Sequence, residues 1–258
     1  MNGSREGADG HSAGMRFQIS LAGVEIAVES LYDETYRMCV PYLSASEGPA
    51  AFTVRSTEKD IAYERRKSAE EARLEGREAV DYEAPYLETL AVYRQIATGM
   101  LDHRAMLMHG SAVGVGEEAW LFTAPSGVGK TTHTRLWLEH VPGAFVVNGD
   151  KPLLRFAEDA VRVCGTPWAG KEGWNTNVTV PLKGIVFLER GEENAISPVD
   201  FFTVFPRLMQ QTYRPHEADA LRKTMALVRE LGARMKFYRL RCNMEPEAAR
   251  VAWEGLRS

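Results

Sequence analysis

Residues Trp120–Glu139 read WLFTAPSGVGKTTHTRLWLE, and this stretch decides how the rest of the chain is interpreted. Its first four residues predict a short apolar strand, and the residues after Gly129 have the composition of a helix. The loop between them is close to the pattern G-x-x-x-x-G-K-[ST], which binds nucleotide phosphates. Ala124 replaces the first glycine of that pattern. We therefore predict a phosphate-binding loop here; a turn without a ligand is the alternative, but the required strand and helix flank the loop.

The residue types in this loop suit a polyphosphate. Gly127 and Gly129 tolerate positive φ, so backbone N–H groups can turn inward, and the following helix offers further unpaired N–H groups. Lys130 is expected to reach the β and γ phosphates and the Thr131 hydroxyl to bind a metal ion, so ATP and Mg²⁺ are the predicted cofactors. The predicted nucleotide-binding residues are Ser126, Gly127, Val128, Gly129, Lys130, Thr131 and Thr132.

An acid follows the next predicted strand. Ala144–Val147 is a continuous apolar run, typical of a buried strand, and it leads into Asn148-Gly149-Asp150. Phosphoryl transfer requires a group that orients the metal or accepts the proton of the attacking hydroxyl. Asp150 is the candidate for both roles, as a catalytic residue and as a metal ligand. Asn-Gly-Asp is also the composition of a β-turn, and the two interpretations are compatible.

A histidine precedes the loop in sequence. Ala105–Val113 is predicted to be one apolar strand, and it contains His109 and Ser111. A hairpin through Gly114–Glu118 would bring His109 or Ser111 near the phosphate-binding loop. His109 is therefore a candidate catalytic residue that contacts the γ phosphate or tunes the catalytic carboxylate. The alternative is a structural role, which is common for a lone histidine at a strand end.

A later loop, Gly165–Asn177, reads GTPWAGKEGWNTN and is rich in groups that bind ligands. Lys171 could hold a phosphate or a substrate carboxylate as a point charge. Trp168 and Trp174 could stack on a base or line the substrate site, and Asn175 is a further candidate substrate contact. The alternative is that the tryptophans fill the core and Lys171 is solvated.

Composition excludes several classes of protein. The 258 residues are 45% hydrophobic, which is enough for one substantial core and a smaller module, and the net charge of −4 gives no basic excess for nucleic acid. No apolar run is long enough to span a membrane, and no signal sequence opens the chain. Three widely spaced cysteines suggest neither a disulfide framework nor a zinc site, so we expect reduced thiols in a cytoplasmic protein. A homo-oligomer is left open.

The chain divides into three predicted parts. Residues 1–14 are small and polar, and we expect a disordered leader. Residues 15–85 are expected to form a small, mostly β module that serves as a lid, a docking element or a dimerisation element. Residues 86–258 form the predicted nucleotide-binding domain. The strands expected in the N-terminal module are Arg16–Leu21, Val24–Val28, Ala50–Arg55 and Asp60–Glu64.

The motifs together resemble a known family. His109-Gly110, the loop at 124–132 and Asp150 occur in the order found in HPr kinase/phosphorylase, and the loop also resembles that of ATP-dependent phosphoenolpyruvate carboxykinase. The resemblance is good over residues 105–157 and looser beyond. It implies an α/β fold, with a PEP carboxykinase/HPr kinase-like P-loop core containing a mixed sheet, ATP with Mg²⁺, and phosphate transfer to a serine hydroxyl. It also implies that Asp150 is the base or metal-associated acid and that His109 contacts phosphate.

Two departures from the family restrict the substrate. HPr kinases have paired aspartates where this chain has Gly149-Asp150, and their Arg-Gly-Leu-Gly signature is absent. These departures argue against HPr as substrate and against phosphorylase activity. The leading hypothesis is an ATP- and Mg²⁺-dependent kinase acting on a hydroxyl of a peptide, protein or small molecule. The alternative is a nucleotide-binding regulatory or scaffold protein without phosphotransfer.

Overall fold

The computed structural model describes residues 14–74 and 76–257. The leader expected at 1–14 therefore lies outside the described residues, except for Gly14. Within the described part of the chain, every helix is too short or too polar to cross a lipid bilayer. All three cysteines of the sequence are free thiols.

Twelve strands and seven α-helices alternate along the described residues. The strands are β1 (Met15–Leu21), β2 (Val24–Ser30), β3 (Phe52–Arg55), β4 (Ala105–Leu107), β5 (Ser111–Val115), β6 (Glu118–Thr123), β7 (Ala144–Asn148), β8 (Leu153–Phe156), β9 (Val161–Cys164), β10 (Thr179–Arg190), β11 (Ala195–Val199) and β12 (Lys236–Cys242). The helices are α1 (Asp33–Cys39), α2 (Glu58–Leu74), α3 (Ala84–Gly99), α4 (Lys130–His140), α5 (Phe201–Gln211), α6 (Ala218–Arg234) and α7 (Glu247–Arg257). The fold is mixed α/β, with a small N-terminal sheet and a large mixed sheet.

Two compact units share the chain. Of the described residues, one unit contains 14–19, 25–74 and 76–95, and the other contains 20–24 and 96–257. The small sheet has the order β1-β2-β3, and β2 and β3 run parallel.

The sequence predicted a mostly β N-terminal region, but the structure contains two α-helices there, α1 and α2. The strand expected at Asp60–Glu64 is part of α2, a helix of 17 residues, and α1 was not expected at all. Helix α2 buries only Ile61, Glu64 and Ala72, so its apolar signal is too sparse to show a helical period. Ile61 and Tyr63 are two positions apart and flanked by Asp60 and Glu64, which imitates a strand over such a short window.

The large sheet is buried on both faces. Its path is β4-β8-β9-β10-β6-β5-β7, with β12 paired to β10 and β11 to β12. Alternate residues of β6 enter opposite core clusters, Ala119 and Leu121 on one face and Trp120 and Phe122 on the other. The first cluster includes apolar residues of α5 and α6, and the second includes those of α4 and α7. Central strands such as β6 are therefore continuous apolar runs, because helices cover both of their faces.

Strand directions bring three distant segments to one edge of this sheet. Strands β6 and β7 both run antiparallel to β5, which lies between them. The carboxyl ends of β6 and β7 and the start of β5 therefore meet at the same edge. The segments that leave this edge are the loop at Ala124, the turn at Asp150 and the approach to β5 at His109. The strand that carries Asp150 is thus not the direct neighbour of β6.

The expected strand Ala105–Val113 is broken in two. Strand β4 pairs with β8, whereas β5 pairs with β6 and β7. Between them the backbone changes partners: the N–H of His109 donates to the carbonyl of Gln211 and that of Gly110 to the carbonyl of Asp150. This change of partners removes His109 from any regular strand and places it at the edge described above.

Candidate functional site

The loop after β6 has the backbone that its glycines predict. Gly127 and Gly129 have φ of 79° and 124°, which L-residues with a side chain rarely adopt. Helix α4 begins at Lys130, directly after Gly129, and no side chain caps its first turn. The N–H groups of that turn and the positive end of the helix dipole are therefore available to an anion.

Lys130 lies against the loop that precedes it. Its Nζ donates to the carbonyl oxygen of Ala124 at 2.7 Å and approaches that of Pro125 at 3.4 Å. Burial lowers the pKa of Lys130 below its ordinary value; the negative charge of Asp150 opposes this shift and the positive charge of Lys151 adds to it. An anionic ligand would reverse the shift, because it stabilises the charged ammonium.

Arg190, at the end of β10, holds the other side of the loop. Its guanidinium donates to the carbonyl of Gly127 at 2.5 Å and to that of Val128 at 3.4 Å. These bonds point two loop carbonyls away from the anion-binding side, which leaves N–H groups on that side. Because arginine forms several directed bonds with one planar group, Arg190 can fix the loop from a single exposed position.

A buried asparagine builds the turn that carries Asp150. The Oδ1 of Asn148 accepts from the backbone N–H of Asp150 at 2.9 Å and from that of Lys151 at 2.6 Å. Its Nδ2 donates to the carbonyl of Thr166 at 3.0 Å. Asn148 is fully buried, so these bonds are protected from water and fix the direction of the turn.

Basic side chains lie next to the Asp150 carboxylate. Oδ1 lies 3.2 Å from Nε2 of His109, and Oδ2 lies 3.6 Å from Nζ of Lys151. Burial by itself would raise the pKa of Asp150, but the hydrogen bond from His109 and the charges of Lys151, His109 and Lys130 outweigh it, so the pKa lies below its ordinary value. At neutral pH, Asp150 is therefore an ionised carboxylate that can attract a metal ion or accept a proton.

The phosphate-binding loop, the Asp150 turn and His109 line the same cavity, which has a volume of about 470 Å³. Its lining includes His109, Lys130 and Asp150, which no stretch of sequence brings together. It also includes most of the loop and part of the later tryptophan-containing loop. The full lining is His109, Ser126, Gly127, Gly129, Lys130, Thr131, Thr132, Gly149, Asp150, Ala169, Gly170, Lys171, Glu172 and Trp174.

Not every candidate from the sequence lines this cavity. Trp168 has 7% of its surface exposed and belongs to the buried core, and Asn175 pairs through its backbone with Asn148. Val128 lines a different cavity, of about 350 Å³, on the side of the loop where Arg190 lies. Lys171 and Trp174, which the sequence had also suggested as contacts, do line the cavity.

The loop at Gly165–Asn177 closes one side of the cavity. Gly170 has a φ of +75°, and a Cβ at this position would lie 3.2 Å from the Cβ of Asp150, so only glycine allows the approach. Glu172 lies 3.5 Å from Arg135 of α4, and the Arg135 guanidinium sits over the Trp174 ring at 5.8 Å. These contacts tie the loop to α4 across the mouth of the cavity.

The residues at this cavity fit a magnesium ion that arrives with a nucleotide. Mg²⁺ is usually held by one or two protein oxygens together with substrate phosphates and water. The hydroxyl of Thr131 and the carboxylate of Asp150 both line the cavity and supply such oxygens. Within residues 14–74 and 76–257, no three His, Cys, Asp or Glu side chains come together as a metal site independent of a nucleotide.

Sequence reasoning missed three residues that shape this site. Asn148 was considered only as part of a turn, and Arg190 and Gln211 were not considered as site residues. Gln211 lies 102 positions from His109 and bonds it at 2.8 Å. The Asn-Gly-Asp composition could have indicated the Asn148 turn, because asparagine often accepts from the backbone two residues ahead. The other two contacts exist only in the folded chain.

Comparisons with known proteins give little. No family model matches the chain, and no curated protein matches it either. Among solved structures, one similar chain is the HPr(Ser) kinase/phosphatase from Coxiella burnetii, at 12% identity over 48% of this chain and 88% of that chain, with a TM-score of 0.29. A TM-score of this size does not establish a shared fold, so the assignment of the site rests on its own geometry.

Proposed function

We propose that this chain is an ATP- and Mg²⁺-dependent kinase whose residues 86–258 form the nucleotide-binding domain. It transfers the γ phosphate to a hydroxyl, with a serine of a peptide, protein or small molecule as the favoured acceptor. The observation that carries the proposal is the shared cavity. A loop with two positive-φ glycines, the lysine that opens the next helix and an ionised carboxylate face the same space.

The residues have distinct roles in the proposed reaction. When bound, Mg²⁺–ATP supplies the phosphoryl group and the metal charge on its oxygens. The N–H groups around Gly127 and Gly129 and the ammonium of Lys130 hold the phosphates and stabilise their charge. Asp150 accepts the proton of the acceptor hydroxyl or orients the metal, and His109 keeps that carboxylate ionised. Most of the catalysis is positioning and charge stabilisation.

The alternative is a nucleotide-binding regulatory or scaffold protein without phosphotransfer. The single aspartate at Gly149-Asp150, where the family has two, favours this alternative. An ionised Asp150 is compatible with both functions, because it can hold the magnesium ion of a bound nucleotide; the kinase alone also uses it to accept the proton of the acceptor hydroxyl.

Transfer from labelled ATP to candidate acceptors tests the proposal. The acceptors are serine-containing peptides, free serine and small alcohols, and the product is identified by mass spectrometry. We expect Lys130→Ala and Asp150→Ala each to reduce transfer by roughly 1000-fold or more, because each removes a group that stabilises or deprotonates the reacting atoms. Lys183→Ala and Glu117→Ala are matched controls, since both residues are exposed and lie at the opposite ends of these strands.

Two outcomes would contradict the kinase. If Asp150→Ala transfers phosphate as fast as the unaltered chain, Asp150 is not part of the mechanism. If the unaltered chain binds ATP but releases only ADP slowly with no labelled acceptor, the regulatory alternative is favoured.

A further inference from the structure

The phosphate-binding loop lies between two cavities. Gly127 lines the cavity assigned to the nucleotide, whereas Ala124 and Val128 line a second cavity of about 350 Å³. No described residue lines both, so the backbone of the loop forms part of the wall between them. A ligand in the second cavity therefore lies beside the phosphates without competing for the N–H groups that hold them.

The second cavity is next to the end of the nucleotide that reacts. Lys130 is expected to reach the β and γ phosphates, and its Nζ donates at 2.7 Å to the carbonyl of Ala124 in the wall of the second cavity. Gln211 lines the second cavity as well, and its carbonyl accepts at 2.7 Å from the backbone N–H of His109 in the nucleotide cavity. Both contacts bring the second cavity close to the γ phosphate, which the acceptor hydroxyl must approach.

The rest of the nucleotide has room elsewhere. Thr131 and Thr132 follow Lys130 at the start of α4 and line the nucleotide cavity, which extends to Trp174 and has a volume of about 470 Å³. The ribose and base can therefore continue along that cavity. This arrangement leaves the second cavity free for another ligand.

The walls of the second cavity suit an apolar side chain. Pro125, Val128 and Phe187 contribute to them. Arg207 and Gln210 also line the cavity and are exposed, so polar groups border its opening. The volume admits a side chain as large as leucine or phenylalanine, and such a side chain is stabilised there because it leaves water.

Arginines outnumber acids beside this cavity. Arg190 and Arg207 line it together with Glu189, and Arg207 forms an ion pair with that glutamate. Two more arginines lie on the neighbouring strand β12, where Arg241 is the register partner of Glu189 and Arg239 that of Phe187. Four arginines and one glutamate give this set a net charge of +3, so it attracts an anionic ligand.

The two arginines of β12 lie on the same face of the sheet as α5. Alternate residues of a strand share a face, so Arg239 and Arg241 lie on the side of Phe237, which packs in the core cluster that includes Val204 of α5. Both arginines are exposed, and neither forms an ion pair with a described residue. They are available to carboxylates that approach along this face.

We propose that the second cavity is the docking site of the acceptor and that the acceptor is a peptide. One of its apolar side chains fills the cavity, and carboxylates next to that side chain bind Arg207, Arg239 and Arg241. This inference rests on the proposed function. A ligand that fills the second cavity and also reaches the γ phosphate must extend past Ala124 and Gln211, so free serine and small alcohols are too short to do both.

An arrayed library of serine peptides tests the docking without an assay of transfer. Each dye-labelled peptide has one serine and one varied flanking position, and its binding is measured by fluorescence anisotropy with Mg²⁺ and a nonhydrolysable ATP analogue. We expect leucine or phenylalanine in place of alanine, at one flanking position, to strengthen binding by about 10-fold or more. Glutamate should be preferred to lysine near that position. No flanking preference, or a preference for lysine, overturns the inference, and this result needs no variant to fold.

Two exposed positions assign these preferences to the cavity. Gln210→Trp should occupy the cavity and remove the preference for an apolar residue. Arg207→Glu should weaken binding of the acidic peptides by roughly 10-fold, because an attractive charge becomes a repulsive one. Arg229→Glu changes an exposed arginine of α6 outside the cavity lining and is the matched control, which should bind like the unaltered chain. Equal binding by Arg207→Glu and its control overturns the assignment to this surface.

Kinetic constants separate acceptor docking from nucleotide binding. We expect Arg207→Glu to raise KM for the peptide by roughly 10-fold and to leave KM for ATP nearly unchanged. A rise in KM for ATP alone would mean that the second cavity holds part of the nucleotide, which overturns the inference. If free serine or a small alcohol is phosphorylated and no peptide binds, the inference fails and the kinase stands. If peptides bind with the expected preferences and none is phosphorylated, the proposed function fails and the docking site stands.

Discussion

Glu88 in one unit and Asp150 in the other are acids with opposite surroundings. Glu88 in the N-terminal unit is completely buried and accepts from the N–H groups of Leu31 and Tyr32 and from the hydroxyls of Thr35 and Ser56. Asp150 in the other unit retains 29% of its side-chain surface, and its nearest side-chain partners are His109 and Lys151.

The difference separates a structural acid from a site acid. Four neutral donors use the lone pairs of Glu88, so no ligand can reach it, and its role is to organise the backbone around it. Asp150 lies beside cations, lines a cavity and is partly exposed. Burial alone therefore does not identify a site; the nature of the partners and the access to solvent do.

The largest effect on stability should come from removing the structural acid. Glu88→Ala leaves four donors without an acceptor in a closed space, and each unsatisfied donor costs about 1–3 kcal/mol. We expect the free energy of unfolding to fall by at least about 3 kcal/mol, measured by urea denaturation with circular dichroism. Glu78→Ala, at an exposed position, is the control and should change it by less than about 0.5 kcal/mol. A loss as small as that of the control would mean that the Glu88 bonds do not support the unit.

A buried histidine close to the site in sequence is a further case for the distinction between structural and site residues. His133, three residues after Lys130, is 3% exposed, accepts from the indole N–H of Trp137 at 3.0 Å, and has no partner at Nδ1. Burial lowers the pKa of His133 to about 4. Despite its position in the sequence, it should behave as a structural group like Glu88.

The pH dependence of stability tests this assignment. The unfolded chain binds a proton at position 133 more readily than the folded chain, so the contribution of His133 is fully present above its ordinary pKa of 6.5 and is lost as pH falls toward 4. We expect a loss of roughly 3 kcal/mol across that window, which His133→Gln should largely remove. His140→Gln alters an exposed histidine of the same helix and should leave the loss unchanged. If the free energy of unfolding depends on pH equally in His133→Gln and in the unaltered protein, the structural role assigned to His133 is contradicted.

The smallest effect on stability is expected at the site acid itself. The pKa of Asp150 lies below its ordinary value, so its ionised form favours folding above that ordinary value and the contribution is lost as pH falls through the lowered pKa. Since the side chain is partly exposed, water screens this contribution. Asp150→Asn should therefore change the free energy of unfolding at neutral pH by less than about 1 kcal/mol. A change as large as that of Glu88→Ala would show that Asp150 is a structural acid too.

Local signals predicted much of the structure around the loop. Strands β6 and β7 and helix α4 were expected close to their observed positions, because these buried strands are apolar runs and the loop motif fixes where the helix begins. The sequence was misleading where the apolar pattern was short or was compatible with more than one structure. Ala105–Val113 is apolar throughout, and nothing local shows that its backbone changes partners at His109.

For the candidate site too, the sequence predicted local features but not contacts between distant residues. Motif residues could be proposed from the sequence because their types carry the chemistry, and their catalytic roles stay predictions. The contacts that hold them could not be proposed. Gln211 and Arg190 act on residues far away in the chain, and whether Trp168 or Trp174 reaches the cavity depends on which way the loop turns after β9.

Calorimetric titration with ATP tests most directly the claim that the loop and Asp150 form a nucleotide site. We expect magnesium-dependent binding to the unaltered chain, weakened roughly 10- to 100-fold in Lys130→Ala, since a hydrogen bond to a charged group contributes about 1.5–3 kcal/mol. Lys183→Ala should bind like the unaltered chain. Absence of magnesium-dependent binding, or equal affinity in Lys130→Ala, would show that the loop and Asp150 do not form a nucleotide site.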